Sequence, residues 1–352
     1  MPQKADKKWM ERALELAKKG GASTLPNPMV GCVIVLNSEI IAEGYHKKFG
    51  ESHAEVNALS MIPDLSPEDL SNATAYVTLE PCSHFGKTPP CANLLIERGV
   101  GRVVTAMEDP NSVVSGKGHK LLSDSGIDVV TGILETKARF VNRQFSHLIS
   151  SDLPYITLKW AQSKDGFMDP EESAVSGRGG VAITSLNTKR EVHKLRSENS
   201  AILVGRKTAE VDNPSLDVRE ISGCNPIRIV IDPEMKLGDL KMTHHKGETW
   251  IICKAGFERP VPGAKVRTWL GRSLPLMLRK LRLNGIHTLL VEGGAFTHNK
   301  FIEEGCYNEM YVYSGPTELN GGLKSPLTTN LESGKIYETT VGIDTLWHYI
   351  RR

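Results

Sequence analysis

The stretch that decides the fold reads TLEPCSHFGKTPPC at residues 78–91, and a His-Ala-Glu triplet that begins at His53 precedes it. A catalytic zinc ion needs three protein ligands and a fourth position for water, and one imidazole and two thiolates are available here from His53, Cys82 and Cys91. Glu55 can carry the proton of that water to a ring nitrogen and to leaving ammonia. The pattern predicts a zinc-dependent deaminase with Glu55 as its catalytic residue.

The local pattern places two of these ligands at the start of helices. His53 begins the apolar run AEVNALSMI, and Cys91 begins a helix that Gly99 ends. The positive end of a helix favours thiolate over thiol. Nucleobase deaminases combine His-x-Glu with Pro-Cys-x-x-Cys. This chain departs from that spacing, because eight residues separate its two cysteines.

Strands alternate with helices on both sides of this stretch. An amphipathic helix ends at Gly20-Gly21, and a long helix is predicted over 135–149. Buried strands are predicted at 30–36, 74–79, 102–107 and 127–131. This alternation predicts an α/β layer fold.

The pattern restarts after Ser-Ser-Asp-Leu-Pro at 150–154, which predicts two domains, 1–150 and 151–352. The later part again alternates between the two kinds of element. Strands are predicted at 155–160, 201–205, 227–231, 250–253, 287–291 and 310–313, and helices at 187–198, 274–283 and 295–303. The Gly293-Gly294 pair falls between a strand and a helix, where backbone N–H groups can approach a phosphate.

The composition excludes several classes of protein. With 352 residues, 39% hydrophobic and 24% charged, the chain suits two globular domains. Its net charge of +2 gives no broad attraction to nucleic acid. The 6 scattered cysteines favour a reducing compartment. The charged N-terminus is unlike a signal peptide, and no apolar run is long enough to span a membrane. We therefore expect a cytoplasmic protein.

The stretches TLPNPMVGCVIV, GYHKKFGESHAEVNAL and YVTLEPCSHFGKTPPC resemble the deaminase half of the bifunctional riboflavin-biosynthesis family RibD (RibG). The resemblance implies a cytidine-deaminase-like, three-layer α/β domain with a central mixed sheet, which deaminates diaminohydroxyphosphoribosylaminopyrimidine. It implies Zn²⁺ at His53, Cys82 and Cys91, with Glu55 as the proton carrier. It also implies a pyrimidine and phosphate pocket lined by Asn27, His46, His84 and Lys87.

The second half resembles the reductase half of this family, which is related in fold to dihydrofolate reductase. The matching pieces are ITLKWAQSKDG, HKLRSENSAILVGRKTAEVDNPSLDVR, RIVIDP and LLVEGGA. They imply that NADPH reduces the ribosyl group of the substrate to a ribityl chain. Cofactor contacts are expected from Ala161, Thr208, Asp212, Gly293 and Gly294, and substrate contacts from Lys159, Asp165, Arg196, Leu216, Arg219 and Glu292. The two arginines suit a phosphate through forked hydrogen bonds.

Two departures and two alternatives accompany this interpretation. Ala182 stands where the family often has a tryptophan against the cofactor, and Asn308 stands where it usually has aspartate. A deaminase whose reductase half has weakened activity therefore remains an alternative. A zinc deaminase acting on tRNA or another nucleic acid is disfavoured by the long insert between the cysteines and by the near-neutral charge. A non-catalytic zinc protein would need a fourth ligand, such as Cys32.

The expected partners are a phosphoribosyl pyrimidine and, from the family resemblance, further copies of this chain in a dimer or tetramer.

Overall fold

The chain forms two compact units, Met1–Ser151 and Asp152–Arg352. None of the described helices combines the length and the apolar character that a membrane crossing requires. The computed structural model describes residues 2–84, 89–170, 182–269, 271, 273–326 and 334–351.

The first unit is built on a five-stranded mixed sheet. Its strands are β1 (Gly31–Leu36), β2 (Glu39–Tyr45), β3 (Thr74–Val77), β4 (Arg102–Thr105) and β5 (Asp128–Val130). Its helices are α1 (Pro2–Lys18), α2 (Ala54–Leu59), α3 (Pro67–Leu70), α4 (Cys91–Glu97), α5 (Lys117–Asp124), α6 (Glu135–Val141) and α7 (Arg143–Ser150). The strand order is β2-β1-β3-β4-β5, in which β1 is antiparallel to both neighbours and β3, β4 and β5 are parallel.

Apolar side chains cover both faces of this sheet. Because successive residues of a strand point to opposite faces, Cys32 and Ile34 pack in one cluster while Val33 and Val35 pack in the other. The first cluster includes residues of α2, α4 and α5, and the second includes residues of α1 and α6. This arrangement confirms the predicted α/β class, with helices on both sides of a mixed sheet.

Two glycines bring helices close to the β1–β2 hairpin. A Cβ atom on Gly31 would lie 2.0 Å from the carbonyl oxygen of Ala13 in α1, and one on Gly44 would lie 2.4 Å from that of Ala54 in α2. Any larger residue would push these helices away from the sheet. Gly44 therefore helps to fix the start of α2, where His53 precedes the helix.

Several elements of the first unit differ from the sequence prediction, and helices α3 and α5 are among those that were not predicted. Strand β2 was not predicted; it pairs with β1 through a tight turn in which Asn37 and Ser38 adopt positive φ. The predicted helix over 135–149 is two helices that meet at Asn142. The Asn142 side chain is buried and bonds both the N–H and the C=O of Met29, so a tertiary contact replaces helical continuity.

The second unit contains a nine-stranded sheet in the order β11-β10-β9-β8-β12-β6-β13-β16-β15 and a two-stranded ladder of β14 and β7. The strands are β6 (Tyr155–Gln162), β7 (Phe167–Asp169), β8 (Ala201–Gly205), β9 (Ile227–Ile231), β10 (Thr249–Ile252), β11 (Lys265–Arg267), β12 (Thr288–Val291), β13 (Glu309–Ser314), β14 (Leu323–Lys324), β15 (Gly334–Val341) and β16 (Asp344–Arg351). The helices are α8 (Leu186–Ser197), α9 (Arg206–Asp212), α10 (Lys241–His244), α11 (Leu274–Leu283) and α12 (Ala295–Glu303).

The strands from β11 to β13 in this order are all parallel, and a hairpin of β15 and β16 adds antiparallel pairs at one edge. The hairpin was not predicted, because its residues have less continuous apolar runs than the central strands. The carboxyl ends of parallel strands meet at one edge of a sheet, and this edge is where α/β folds bind ligands. Lys159, Gly205 and Glu292 lie at or near the ends of β6, β8 and β12.

Candidate active sites

Three ligand-type side chains converge in the first unit. His53 immediately precedes α2, Cys91 is the first residue of α4, and Cys82 lies in the loop after β3. The His53 Nδ1 atom lies 3.2 Å from Cys91 Sγ and 3.6 Å from Cys82 Sγ, and all three ligand atoms lie within 4.8 Å of one another. Such distances suit a common metal with Zn–S bonds of about 2.3 Å and a Zn–N bond of about 2.0 Å. The donor set therefore fits a zinc ion.

Within the described part of the chain, no fourth His, Cys, Asp or Glu joins this group. The buried Cys32, which was a possible fourth ligand, is not a member of it. A site with three protein ligands leaves one position for a reactant, whereas structural zinc sites are closed by four. The geometry favours a catalytic site over a structural one.

A hydrogen bond joins the two thiols and shifts their pKa values in opposite directions. A hydrogen bond from Cys91 lowers the pKa of Cys82 to about 4, and the same bond, together with burial, raises the pKa of Cys91. The backbone N–H of Cys91 also donates to Cys82 Sγ at 3.3 Å. The lowered pKa of Cys82 favours its thiolate, and loss of the Cys91 proton on metal binding would complete the ligand set.

Glu55 lies in the first turn of α2 and is buried. Burial, and then the charge of Cys82, raise the pKa of its carboxyl to about 7. Its side chain contacts the Cys91 thiol, yet it is not one of the three clustered ligands. A carboxyl in this position can accept and return a proton near neutral pH.

Two of the four predicted pyrimidine contacts lie beside this cluster. The Asn27 Nδ2 and His46 Nε2 atoms are 3.1 Å apart, and the His46 ring packs edge-on against that of His53. His46 Nδ1 lies 3.0 Å from the carbonyl oxygen of Ser52, and burial lowers the His46 pKa. A neutral ring can therefore donate from Nδ1 and accept from Asn27. His84 is exposed on the loop after Cys82, and Lys87 lies outside the described residues.

Sequence reasoning missed the buried carboxylate of Glu80, which organises the segment EDPNSVVSGKG at 108–118. One oxygen accepts from the backbone N–H of Gly116 at 2.9 Å and of Asp109 at 3.2 Å, and the other from that of Gly118 at 2.8 Å. Because Glu80 lies two residues before Cys82, this network connects the ligand loop to a neighbouring loop. The only signal in the sequence was an acidic residue directly before Pro-Cys.

A second cluster of charged groups lies in the second unit. Arg196 of α8 forms a two-pronged ion pair with Glu292, with Nε to Oε1 at 3.0 Å and Nη2 to Oε2 at 2.9 Å. Lys159 Nζ lies 3.9 Å from Glu292 Oε2, and the three side chains are only 9% to 14% exposed. Burial would raise the pKa of Glu292, but the charges of Arg196 and Lys159 outweigh it and lower the pKa to about 2. Glu292 is therefore a carboxylate held between two cations.

The predicted cofactor residues fall around the ends of β6, β8 and β12. Gly294 precedes α12, and a Cβ atom on it would lie 3.4 Å from Thr208 Oγ1 of α9. Ala161 lies near the end of β6, and Asp212 is the last residue of α9. The Gly293-Gly294 turn and Thr208 thus meet at the edge where parallel strands end, which suits contact with a phosphate or ribose.

Four predicted substrate residues have other contacts. Arg219 is exposed and pairs with Asp217, while Leu216 is buried in the core with φ of 51°. Asp165 accepts hydrogen bonds from Ser163 and from the backbone of Leu319 and Asn320, which fixes a loop. The guanidinium group of Arg196 is paired with the Glu292 carboxylate. The structure therefore does not show two free arginines facing a phosphate, and these substrate contacts stay predictions.

Both halves of the chain match known families. The RibD C-terminal domain matches residues 154–340, and the cytidine and deoxycytidylate deaminase zinc-binding region matches residues 3–107. The riboflavin biosynthesis protein RibD of Aquifex aeolicus is 40% identical, and the alignment covers 92% of this chain and 90% of that protein. The RibD protein of Bacillus amyloliquefaciens is 38% identical over 91% of this chain and 86% of its own length. This chain belongs to the RibD family.

A solved structure supports the assignment over the whole chain. The diaminohydroxyphosphoribosylaminopyrimidine deaminase/5-amino-6-(5-phosphoribosylamino)uracil reductase of Thermotoga maritima is 31% identical, with a TM-score of 0.89 and coverage of 100% of both chains. The chain is thus a bifunctional deaminase and reductase of riboflavin biosynthesis, as predicted. Its two domain matches agree with the expected cofactors, Zn²⁺ and NADPH. The RibD C-terminal domain matches the part of the chain that the alternative of a nucleic-acid deaminase treats as an accessory domain.

Loss of one thiolate is expected to lower the zinc content. Cys82→Ser and Cys91→Ser each replace a thiolate with a hydroxyl that stays protonated near neutral pH, so zinc affinity should fall steeply. Metal analysis of the purified full-length variants measures the effect. Cys224→Ser is the matched control, because Cys224 is exposed and outside the cluster. Full zinc content in both ligand variants would contradict this ligand set.

Proposed function

We propose that this RibD family member first removes an amino group from 2,5-diamino-6-(5-phosphoribosylamino)pyrimidin-4-one by hydrolysis. It then uses NADPH to reduce the ribosyl group of that product to a ribityl chain. The observation that carries the deaminase half is the His53, Cys82 and Cys91 cluster with Glu55 beside it. The name of the Thermotoga maritima relative supports the choice of substrate. The deaminase is assigned to 1–150 and the reductase to 151–352, and we expect a cytoplasmic homo-oligomer.

In the deaminase, His53, Cys82 and Cys91 would hold the zinc ion, which makes water nucleophilic near neutral pH. Glu55 accepts one proton from the water and delivers it to the ring nitrogen, and it then carries the second proton, from the newly attached hydroxyl, to the amino group, which leaves as ammonia. A C–N bond breaks and a C=O bond takes its place. Asn27, positioned by its contact with His46, can pair with an edge of the pyrimidine. His84 and Lys87 are assigned to the phosphoribosyl end.

In the reductase, bound NADPH would supply a hydride to the first carbon of the ribosyl group, whose bond to the ring oxygen breaks while that oxygen takes up a proton. The Gly293-Gly294 turn, together with Thr208, Ala161 and Asp212, is assigned to the cofactor. Lys159 and Glu292 are assigned to the reacting end of the substrate, where the buried cation can polarise the carbon that accepts hydride. Arg196 keeps Glu292 ionised and oriented. Asp165, Leu216 and Arg219 are assigned to the periphery of the reductase substrate.

The order of the two reactions gives a direct test. Purified full-length protein with zinc is expected to release ammonia from the diaminopyrimidine in the absence of NADPH. NADPH oxidation should begin only when that product, or separately prepared aminouracil, is present. Both signals are followed in the same sample, by an ammonia assay and by absorbance of NADPH. Release of ammonia from an RNA substrate instead, or NADPH oxidation without any pyrimidine, would refute this assignment.

A further inference from the structure

His298 is a fully buried side chain on α12 that has no part in the mechanism above. Its Nε2 atom lies 3.1 Å from the carbonyl oxygen of Lys159 and 3.2 Å from that of Val291. The ring of Trp160 packs edge-on against it, with centroids 5.2 Å apart. One imidazole thus contacts the backbone of two neighbouring strands, β6 and β12.

These two carbonyls lie where the strands separate. β6 and β12 pair in parallel up to Leu158 and Val291, and Lys159 is one residue beyond this last pair. The chain of β12 then turns through Gly293-Gly294 into α12. A buried carbonyl without a donor costs about 1–3 kcal/mol. The His298 side chain offers a donor to the Lys159 carbonyl, one residue beyond the ladder, and to the Val291 carbonyl in its last pair.

Both ring nitrogens of His298 face backbone carbonyl oxygens, two at Nε2 and one at Nδ1. A hydrogen on Nε2 serves two acceptors whereas one on Nδ1 serves a single acceptor, so we assign the hydrogen of the neutral ring to Nε2. Burial lowers the pKa of His298 to about 4, so the ring is neutral near pH 7 and Nδ1 carries no hydrogen. The carbonyl oxygen of Gly294, 3.2 Å from Nδ1, already accepts the backbone N–H of His298. The side chain therefore acts as a neutral donor beside Lys159 without adding charge.

The two contacted backbones carry the charged pair of the reductase. Lys159 accepts from His298 through its own carbonyl, and Glu292 directly follows Val291 in the chain. The Lys159 Nζ and Glu292 Oε2 atoms are 3.9 Å apart. A misplacement of about 1 Å in an active site can cost about 100-fold in rate. We propose that His298 is a positioning residue of the reductase, which fixes the spacing of the strand ends that carry Lys159 and Glu292; this rests on the proposed function of those two residues.

The test compares two replacements of similar size in the full-length, zinc-loaded protein. His298→Met fills the space but removes the donor, and we expect kcat for NADPH oxidation to fall about 10- to 100-fold, with a smaller change in KM. His298→Gln places an amide N–H near the Nε2 position and should recover most of the rate. Ammonia release by the deaminase of the same chain should be unchanged. Phe301→Leu, a buried change on the same helix, is the control for lost stability.

The outcomes separate a positioning role from a structural one. A normal kcat in His298→Met, a low kcat in both His298 variants, or the same loss of kcat in Phe301→Leu at equal loss of thermal stability would each overturn the inference. An inactive wild-type reductase would overturn the proposed function along with it. An active wild type with an equally active His298→Met would overturn the inference alone.

Discussion

Glu55→Gln is expected to abolish ammonia release while zinc stays bound. Glutamine has nearly the same size as glutamate but cannot accept a proton, so the transfer from water to the ring nitrogen and leaving group loses its carrier. General acid–base catalysis contributes about 100- to 10,000-fold, and kcat for deamination should fall by that amount. Zinc content should persist, because the carboxylate is not among the three clustered ligands. Parallel metal analysis and ammonia assays measure both effects.

Glu97→Gln provides the matched control for this experiment. Glu97 is exposed at the end of α4, the helix that Cys91 begins, and it has no place in the assigned machinery. NADPH oxidation with separately prepared aminouracil should be normal in both variants, which shows that the second unit is folded, and retained zinc reports on the first unit. Deamination at the wild-type rate by fully zinc-loaded Glu55→Gln would mean that another group carries the proton. Loss of zinc in that variant would instead make Glu55 a ligand.

The metal cluster could be predicted because its signals are short and local. His53 and Cys91 each lie at a helix start that the apolar pattern indicates, and Cys82 follows a buried strand. Zinc chemistry restricts which residues can meet at one point, so one histidine and two cysteines at this spacing were enough to predict the convergence. Strand β2 lacked such a signal. Its turn uses Asn37 and Ser38 in left-handed conformations, and no glycine marks it.

Contacts between distant residues could not be predicted in the same way. Arg196 and Glu292 are 96 positions apart, and each resembles a substrate contact when the sequence is considered alone. The structure pairs them, because a buried carboxylate needs compensating charge and the fold places a guanidinium within reach. Asn142 is similar: its side chain bonds the backbone of Met29 and divides a helix that apolar periodicity predicts as continuous.

The Arg196–Glu292 pair carries the last prediction, in which Glu292→Gln is expected to abolish NADPH oxidation and to destabilise the second unit. The change leaves Arg196 and Lys159 as buried cations without a carboxylate. Breaking a buried ion pair by removing one partner costs about 3–5 kcal/mol in the free energy of unfolding. Tryptophan fluorescence during denaturant unfolding reports on this unit, because four of the five tryptophans lie within residues 152–352. Ammonia release should be unaffected.

A second substitution separates stability from catalysis. In the double variant Glu292→Gln/Arg196→Met one unpaired cation is removed, so part of the lost unfolding free energy should return, while NADPH oxidation should stay abolished. The cycle of single and double variants measures the coupling of the pair directly. Recovery of NADPH oxidation together with stability would show that the pair acts only in folding. If the losses of unfolding free energy in the two single variants simply add in the double variant, the two groups do not interact. In a direct ion pair, Arg196→Met costs less when Glu292 has already been replaced than when it is made alone.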